Sequence, residues 1–427
     1  MSTRKTPSSA KPDTSSAATS AAAISVDAAQ ELLGGLSAQQ FMKRHWQKKP
    51  LLVRQAIPGF KPLLTRPQLF ALSMQEDVES RLIVQTQYNP AAPAKAAGSS
   101  VAAARSAKRR APAAAAAVKA DAGWTLGHGP FTKSSFPPIS QQGWTLLVQG
   151  VDLHVDTVSD LMHRFRFIPD ARLDDLMISW ATDQGGVGPH FDSYDVFLIQ
   201  ASGKRRWRIG RQKDMSLQED VPLKILTHFV PEEEHVLEAG DMLYLPPGWA
   251  HDGIAEGDDC STYSVGFRVP QRASLAGELL LRMTDAFEDD TLYRDAAQPA
   301  TNQPAAIPDS LEAFAQDALA RLLADKESLA CALGEVMTEP KPKVWFDEPD
   351  ADWVPGAIAL DRRTRMMYDD KHVYINGDGF KAGGADARLM RKLADQRALS
   401  QADVAKASDG AVELLAEWHS AGWLHAV

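Results

Sequence analysis

The chain has 427 residues, of which 44% are hydrophobic and 24% charged, and its formal net charge is −9. This length allows two or three domains with cores of their own, and the composition excludes a largely disordered or fibrous protein. The acidic balance argues against binding of nucleic acid over the whole surface, and no apolar run is long enough to span a membrane. Two cysteines, Cys260 and Cys331, exclude a disulfide framework and favour a reducing, cytoplasmic environment.

Two segments have a biased composition that favours disorder. Residues 1–26 are rich in Ser and Ala, and we expect a disordered tail there rather than an organelle transit peptide. Residues 89–122 are rich in Ala, but their prolines oppose one long helix, so we expect a mobile insertion. The basic side chains of this insertion could contact RNA phosphates, although an ordinary solvated loop explains them more simply.

Short apolar runs separated by turn residues follow over residues 124–270. Many brief strands at close spacing predict an antiparallel sandwich or barrel. We therefore expect residues 27–270 to form one domain around this sheet. The predicted strands are 144–151, 176–181, 195–200, 205–210, 241–247 and 261–269, with a tight turn at 201–203.

The pattern becomes helical after Pro270. Apolar residues at i, i+3 and i+4 predict amphipathic helices within residues 271–340, which either cover the sheet or pair with a second subunit. A proline-rich linker at 339–356 marks a boundary. A hairpin at 364–377 and helical stretches around 386–399 and 401–422 predict a small winged-helix-like domain over 357–427. The predicted fold class is therefore α+β.

His190 and Asp192 are the most informative residues of the chain. They stand two apart in GPHFD, and side chains at i and i+2 of a strand share one face. His251 follows a Pro-Pro-Gly corner that presents its side chain. Two histidines and one carboxylate are the ligand set of non-haem Fe(II) oxygenases, although manganese stays possible, while zinc fits less well. The alternative is that both histidines merely fill polar gaps in the wall of the sheet.

Arg205 lies in a strand whose alternation places it with Trp207 and Ile209 on the apolar face. A guanidinium inside a barrel is costly unless it is paired, and its fork of donors suits a carboxylate. We therefore expect a diacid cosubstrate, with a 2-oxo acid end on the metal and the far carboxylate on Arg205. The alternative is an internal salt bridge to Asp195 or Glu238.

Ser179, Asp175 and Tyr194 are weaker candidates for the site. Ser179 stands in an otherwise apolar strand and either contacts cosubstrate or substrate, or bonds to backbone. Asp175 and Tyr194 either recognise a cationic side chain, by charge and by stacking, or are a turn aspartate and a core tyrosine. Neither cysteine has a neighbouring base that would suggest a nucleophile.

A family resemblance is carried by three longer motifs, GGVGPHFDSYDVFLIQASGKRRWRIG, EAGDMLYLPPGWAHDG and STYSVGFRVP. They resemble the bacterial ribosomal oxygenases of the JmjC-type cupin superfamily, strongly over roughly 36–270 and more loosely beyond. The resemblance implies a double-stranded β-helix (cupin) barrel, a helical dimerisation region and a C-terminal winged helix. It also implies 3-hydroxylation of an arginine of large-subunit ribosomal protein sixteen, with Fe(II), 2-oxoglutarate and O₂.

The same resemblance implies roles for individual residues. His190, Asp192 and His251 would be the iron ligands, Arg205 would bind the far carboxylate of 2-oxoglutarate, and Ser179 would contact cosubstrate or substrate. Many JmjC relatives have lysine at the position of Arg205. Two other functions stay open, a JmjC-type protein-lysine demethylase and a non-catalytic metal-binding interaction module. We expect a ribosomal protein as partner, a homodimer, no membrane, and no direct contact with nucleic acid.

Overall fold

The computed structural model describes residues 25–85, 118–119 and 123–427. The predicted disordered tail and mobile insertion therefore lie outside the described residues, apart from residues 25–26 and 118–119. Residues 118–119, although predicted to belong to the insertion, form a short strand that pairs with the strand starting at Trp124.

The N-terminal elements frame one side of a large sheet. Ser37 starts the first helix through a capping box with Gln40, which satisfies two backbone N–H groups reciprocally. The elements are α1 (Ala38–Arg44), β1 (Leu51–Val53), α2 (Arg66–Leu72), β2 (Ser80–Gln85), β3 (Val118–Lys119) and β4 (Trp124–His128).

The longer strands complete the sheet. They are β5 (Trp144–Val148), then, after α3 (Asp156–His163), β6 (Leu173–Ala181), β7 (Val196–Gly210), β8 (Glu233–Leu237), β9 (Met242–Leu245) and β10 (Ala250–Phe267). Within the described residues the order is β1-β9-β7-β10-β6-β5-β2-β4-β3, with β8 on β7. Every pairing in this sheet is antiparallel, so the predicted sheet type is confirmed.

β7 differs from its prediction. Instead of two strands joined by a turn at 201–203, one continuous strand runs through this point. The neighbouring β10 absorbs the irregularity, because its pairing with β7 jumps between Glu256 and Ser261. Gly203 has φ of +63°, and a side chain there would lie 2.9 Å from the backbone of Cys260. Gly203 is therefore part of a continuous strand, and the bulge lies opposite it in β10.

Aromatic side chains fill the space between the sheet and the N-terminal helices. Phe41 of α1 packs edge-on against Tyr244 of β9, with ring centroids 4.9 Å apart, and Phe197 of β7 lies 4.7 Å from Phe165. All four side chains are fully buried. Burial of the Phe41 ring against Tyr244 helps to hold the N-terminal segment on the sheet.

The C-terminal part contains three helices followed by a second small domain. Its elements are α4 (Arg272–Asp285), α5 (Asp309–Ala324), α6 (Lys326–Thr338), β11 (Ile358–Leu360), β12 (Met366–Tyr368), β13 (His372–Ile375), β14 (Asp378–Lys381), α7 (Gly384–Gln396), β15 (Ala398–Leu399), α8 (Gln401–Val404), α9 (Asp409–Ser420) and β16 (Leu424–Ala426). The hairpin predicted at 364–377 corresponds to β12 and β13. The predicted helical stretch at 401–422 is instead two helices, because Ser408 accepts a hydrogen bond from the Ala411 N–H and starts a new helix.

The small domain docks on the barrel through arginine side chains. Arg166, just after α3, donates to the carbonyls of Ala394 and Asp395 at the end of α7. From the other side, Arg362 donates to the Leu153 carbonyl at 2.8 Å. Guanidinium groups satisfy backbone carbonyls across this boundary, so the two parts hold a defined relative position. In the part of the chain that is described, no helix is both long and apolar enough to cross a membrane.

Candidate metal centre and active site

A short backbone bridge brings the two predicted histidine ligands together. His190 and His251 exchange both backbone hydrogen bonds, at 2.9 and 2.8 Å, as an isolated antiparallel bridge. His251 is the second residue of β10, where it lies opposite Ile209 of β7. The bridge sets the imidazole rings 4.2 Å apart although 60 positions separate them in the sequence.

Both imidazoles are oriented by backbone carbonyls. The Nδ1 atom of His190 lies 2.9 Å from the Gly188 oxygen, and the Nδ1 atom of His251 lies 3.0 Å from the Trp249 oxygen. Because a carbonyl can only accept, each Nδ1 carries the proton and each Nε2 keeps its lone pair. Burial, helped by the nearby His190, lowers the pKa of His251 to about 4, so this ring is neutral at pH 7. Neutral, oriented imidazoles are the form that binds metal.

Asp192 completes the group. Its Oδ2 atom lies 3.6 Å from Nε2 of His251 and 3.9 Å from Nε2 of His190. Two ligand atoms that each lie about 2.1 Å from one ion can be at most about 4.2 Å apart, so these distances allow a shared ion. Among the described residues this is the only such group of His, Cys, Asp or Glu. The donor set fits a divalent transition metal with one face left for other ligands.

Arg205 is buried without a carboxylate partner among the described residues. Its side chain is 4% exposed, and its Nη1 atom donates to the Gly253 carbonyl at 3.2 Å. The Nε and Nη2 atoms are buried and have no hydrogen-bond partner. The alternative of an internal salt bridge is wrong, because Asp195 binds Tyr244 and Arg172, and Glu238 pairs with Lys204. Two adjacent free donors form the fork that a carboxylate ligand occupies bidentately.

Trp207, with Gly253 against its ring, lies close to both this guanidinium and the metal ligands. No role was predicted for either residue. The Trp207 ring lies 5.8 Å from the His251 ring and 5.8 Å from the Arg205 guanidinium carbon. A side chain at Gly253 would lie 2.6 Å from the Trp207 ring, so only glycine allows this approach. The alternation RRWRIG, in which only Arg205, Trp207 and Ile209 face inward, was the available signal.

The weaker candidates occupy different environments. Ser179 is buried and its hydroxyl donates to the Thr262 carbonyl at 3.3 Å. Asp175 is also buried, on β6, and accepts from the Gly150 N–H at 3.0 Å. Tyr194 is 39% exposed, so it is not a core tyrosine. Its hydroxyl is nevertheless partly shielded from water, and this burial together with the nearby Asp192 raises the pKa of the hydroxyl. These placements leave the binding roles of all three as predictions.

Cys331 does have a neighbouring base, contrary to the sequence analysis. Its Sγ atom on α6 lies 3.5 Å from Nε2 of His372 on β13. Burial and the nearby Glu335 raise the pKa of the thiol, so it is not poised as a nucleophile at neutral pH. Only the packing of α6 on the hairpin brings these two residues together.

Comparison with known protein families matches two parts of the chain. Residues 160–275 match the family described as JmjC domain, and residues 321–425 match the family described as ROXA-like winged helix. The second range begins before β11 and includes α6, which packs on the hairpin closely enough for Gly334 to touch Tyr374. The metal group lies within the first range.

Individual proteins agree with these family matches. The ribosomal protein uL16 3-hydroxylase of Escherichia coli is 30% identical over 354 residues, which cover 79% of this chain and 84% of that protein. The X-ray structure of E. coli YcfD superposes with a TM-score of 0.74 at 27% identity, covering 91% of this chain and 98% of that one. A structure of YcfD, a ribosomal oxygenase from E. coli, in complex with cobalt and 2-oxoglutarate matches with the same coverage and identity, at a TM-score of 0.71. The chain therefore belongs to the bacterial ribosomal oxygenases, which join a JmjC (cupin) barrel to a ROXA-like winged helix.

Proposed function

We propose that this chain is an Fe(II)- and 2-oxoglutarate-dependent hydroxylase that adds one oxygen to the β-carbon of an arginine in ribosomal protein uL16. The observation that carries the proposal is the pairing of a His-Asp-His group with the uncompensated guanidinium of Arg205 in one barrel. A relative that matches over most of both chains is a uL16 3-hydroxylase, which supports the choice of substrate.

Each side chain of the group has a task that follows from its geometry. His190, Asp192 and His251 would hold the iron, and the carbonyls behind the imidazoles orient their Nε2 atoms for this role. Bound Fe(II) supplies the activation of O₂ that is coupled to decarboxylation of 2-oxoglutarate. Arg205 donates to the far carboxylate of 2-oxoglutarate through Nε and Nη2. The Trp207 ring lines the space between Arg205 and the metal ligands.

Asp175, Tyr194 and Ser179 are proposed to bind organic ligands. Tyr194 is exposed next to Asp192, where its ring can stack on the guanidinium of a substrate arginine. Asp175 on β6 provides a buried carboxylate for the same cation. Ser179 lies four residues further along β6, on the same face, and its oxygen can still accept one hydrogen bond from cosubstrate or substrate.

The remaining regions are proposed to organise this chemistry. The catalytic domain would span residues 27–270. The helices at 271–340 would form a homodimer, since several of their leucines are exposed. The winged helix at 357–427 would contact protein rather than nucleic acid. Both cysteines are free, which is consistent with work in the cytoplasm.

The proposal is tested by turnover of uL16 with single variants of the metal group. His190→Ala and Asp192→Ala should each abolish succinate formation that depends on uL16, because one face of the metal loses a ligand. His235→Ala is the matched control, since this histidine lies on β8 and its ring pairs with Glu233. Full succinate formation in both ligand variants would contradict the metal assignment.

Mass spectrometry of the product separates the rival functions. Hydroxylation adds about 16 mass units to an arginyl peptide, whereas demethylation removes about 14 from a methyl-lysine peptide. A gain of 16 on uL16 is expected. Loss of 14 from a methyl-lysine substrate would favour the demethylase, and absence of any product with loaded metal would favour a non-catalytic module.

A further inference from the structure

We propose that Lys341 is a positioning residue for substrate, because its ammonium group lies against the Asp175 carboxylate that would receive a cationic side chain. The inference rests on the proposed function, in which Asp175 binds the substrate arginine. Lys341 comes from outside the barrel, in the segment between α6 and β11. A residue of the C-terminal part would therefore control the charge of a substrate-binding group in the catalytic domain.

The position of the lysine ammonium is defined by two carboxylates of β6. Its Nζ atom lies 2.8 Å from Oδ1 of Asp174 and 3.9 Å from Oδ2 of Asp175. The side chain of Lys341 is only 25% exposed, so water screens these pairs less than it screens surface pairs. Asp174 also pairs with Arg268 at 3.5 Å and has a second cation available. Among the described residues, Asp175 has only Lys341 within ion-pair distance.

Asp175 otherwise has neutral partners and acidic neighbours. Its Oδ2 atom accepts from the Gly150 N–H at 3.0 Å and from the Gln149 amide at 3.4 Å. Asp152, fully buried next to it, accepts from the Leu176 N–H at 2.7 Å. The charged and titratable groups around Asp175 include Glu79, Asp152, Asp174, Tyr194 and Lys341. Arg81 of β2 donates to the Gln149 side chain whose amide bonds Asp175, so it acts on Asp175 through a neutral group.

This arrangement makes the charge of Asp175 depend on the lysine. Burial raises the pKa of Asp175, and Lys341 is the main influence that lowers it. Burial and the charge of Asp175 raise the pKa of Asp152 to about 7, so the cluster is close to taking up a proton at neutral pH. Without the ammonium, repulsion among the acids would move protonation of Asp175 towards neutral pH. A protonated Asp175 cannot form an ion pair with a guanidinium.

The experiment uses the full-length enzyme with Fe(II) and 2-oxoglutarate under anaerobic conditions, so that peptide binding is measured without turnover. The dissociation constants of overlapping arginyl peptides of uL16 are measured between pH 5.5 and 9 for Lys341→Met, Lys341→Arg and Asp175→Asn. Lys343→Met is the matched control, since Lys343 lies in the same segment and bonds to the Glu76 carbonyl rather than to an acid. Aerobic KM and kcat for the peptide are measured in parallel.

In Lys341→Met, the pH below which peptide affinity falls should rise by at least about one unit. At pH values below this point the affinity should be about tenfold lower than that of the wild type. Affinity should recover at high pH, and kcat at saturating peptide should change little. Lys341→Arg and Lys343→Met should both follow the wild type. The melting temperature of each variant checks that it is folded.

Two results would overturn the inference while leaving the proposed function standing. One is that Lys341→Met binds peptide with the same pH dependence as the wild type, although Asp175→Asn binds peptide more weakly. The other is a loss of affinity in Lys341→Met that is equal at every pH, which a purely structural role would produce. Wild-type binding by Asp175→Asn would instead remove the substrate role of Asp175, and the inference with it.

Discussion

At the scale of single residues, buried charges without a partner indicate where a ligand would bind. Arg205 is held inside the barrel with two adjacent donors free, while Arg206, the next residue along the strand, points outward and pairs with Glu234 and Glu256. Burying an unpaired guanidinium costs free energy that ordinary folding would avoid. Binding of the proposed 2-oxoglutarate carboxylate would offset this cost.

Substitution of Arg205 tests this directly. Arg205→Met should raise the KM for 2-oxoglutarate by at least about 100-fold, since two charge-assisted hydrogen bonds of about 1.5–3 kcal/mol each are lost. Arg205→Lys should have an intermediate effect, because an ammonium keeps the charge but not the fork. The measurement is succinate formation against 2-oxoglutarate concentration, with Arg206→Gln as control. An unchanged KM in Arg205→Met would mean that the far carboxylate binds elsewhere.

At the scale of elements, one carboxylate ties the winged-helix strands together. Asp361, directly after β11, is 2% exposed and accepts hydrogen bonds from Arg363 at 2.7 Å and from His425 of β16 at 2.7 Å. Burial alone would raise the pKa of Asp361, but the bonds from His425 and Arg363 outweigh it and hold that pKa well below its usual range. The ionised form of Asp361 is therefore part of the folded domain.

Asp361→Asn should lower the free energy of unfolding by about 1–3 kcal/mol at pH 7, because the largely buried Arg363 guanidinium loses its ionised partner. The folded pKa is depressed, so this stabilisation is present above the unfolded pKa of about 3.9 and is lost as the pH falls through the folded value. Denaturant unfolding of wild type and variant should therefore differ at pH 7 and converge in strong acid. Equal stability at pH 7 would contradict a structural role for this ion pair.

At the scale of the whole molecule, the helices between barrel and winged helix expose an apolar surface. Leu281 of α4 is 68% exposed, and Leu319 and Leu323 of α5 are 56% and 52% exposed. Few residues of these helices are buried, and three of them, Met283, Leu322 and Ala332, form only a small cluster. Leucines repeated on successive helices in this way are typical of a surface that is covered by a second subunit.

Leu281→Asp and Leu323→Asp should each shift the protein from dimer to monomer, since a charge in an apolar interface is not compensated. Sedimentation velocity measures the change, and circular dichroism should show the same helix content. Val230→Asp is the control, because Val230 is 71% exposed on a barrel loop away from these helices. A wild-type protein that sediments as a monomer at all concentrations would rule out the homodimer.

Local periodicity in the sequence was sufficient to predict the secondary-structure elements and the chemistry of single positions. The spacing of His190 and Asp192, the inward alternation of Arg205, and the amphipathic helices are all local features, because they depend on residues a few positions apart. The predicted turn at 201–203 was wrong for the same reason. Gly203 has the conformation of a turn residue, and only the bulge in β10 allows the strand to continue.

The tertiary structure alone decided which distant groups meet. Two contacts join residues that are far apart in the chain: the bridge between His190 and His251, and the ion pair of Lys341 with Asp175. The donors of Arg205 are free because the fold brings no acceptor to them. Strand register and domain docking fix these contacts, and both depend on the packing of the whole core rather than on any local pattern. The sequence by itself therefore determined the family, the sheet and the ligand types. The folded chain determined which buried charges have partners, because partnership depends on burial and distance in three dimensions.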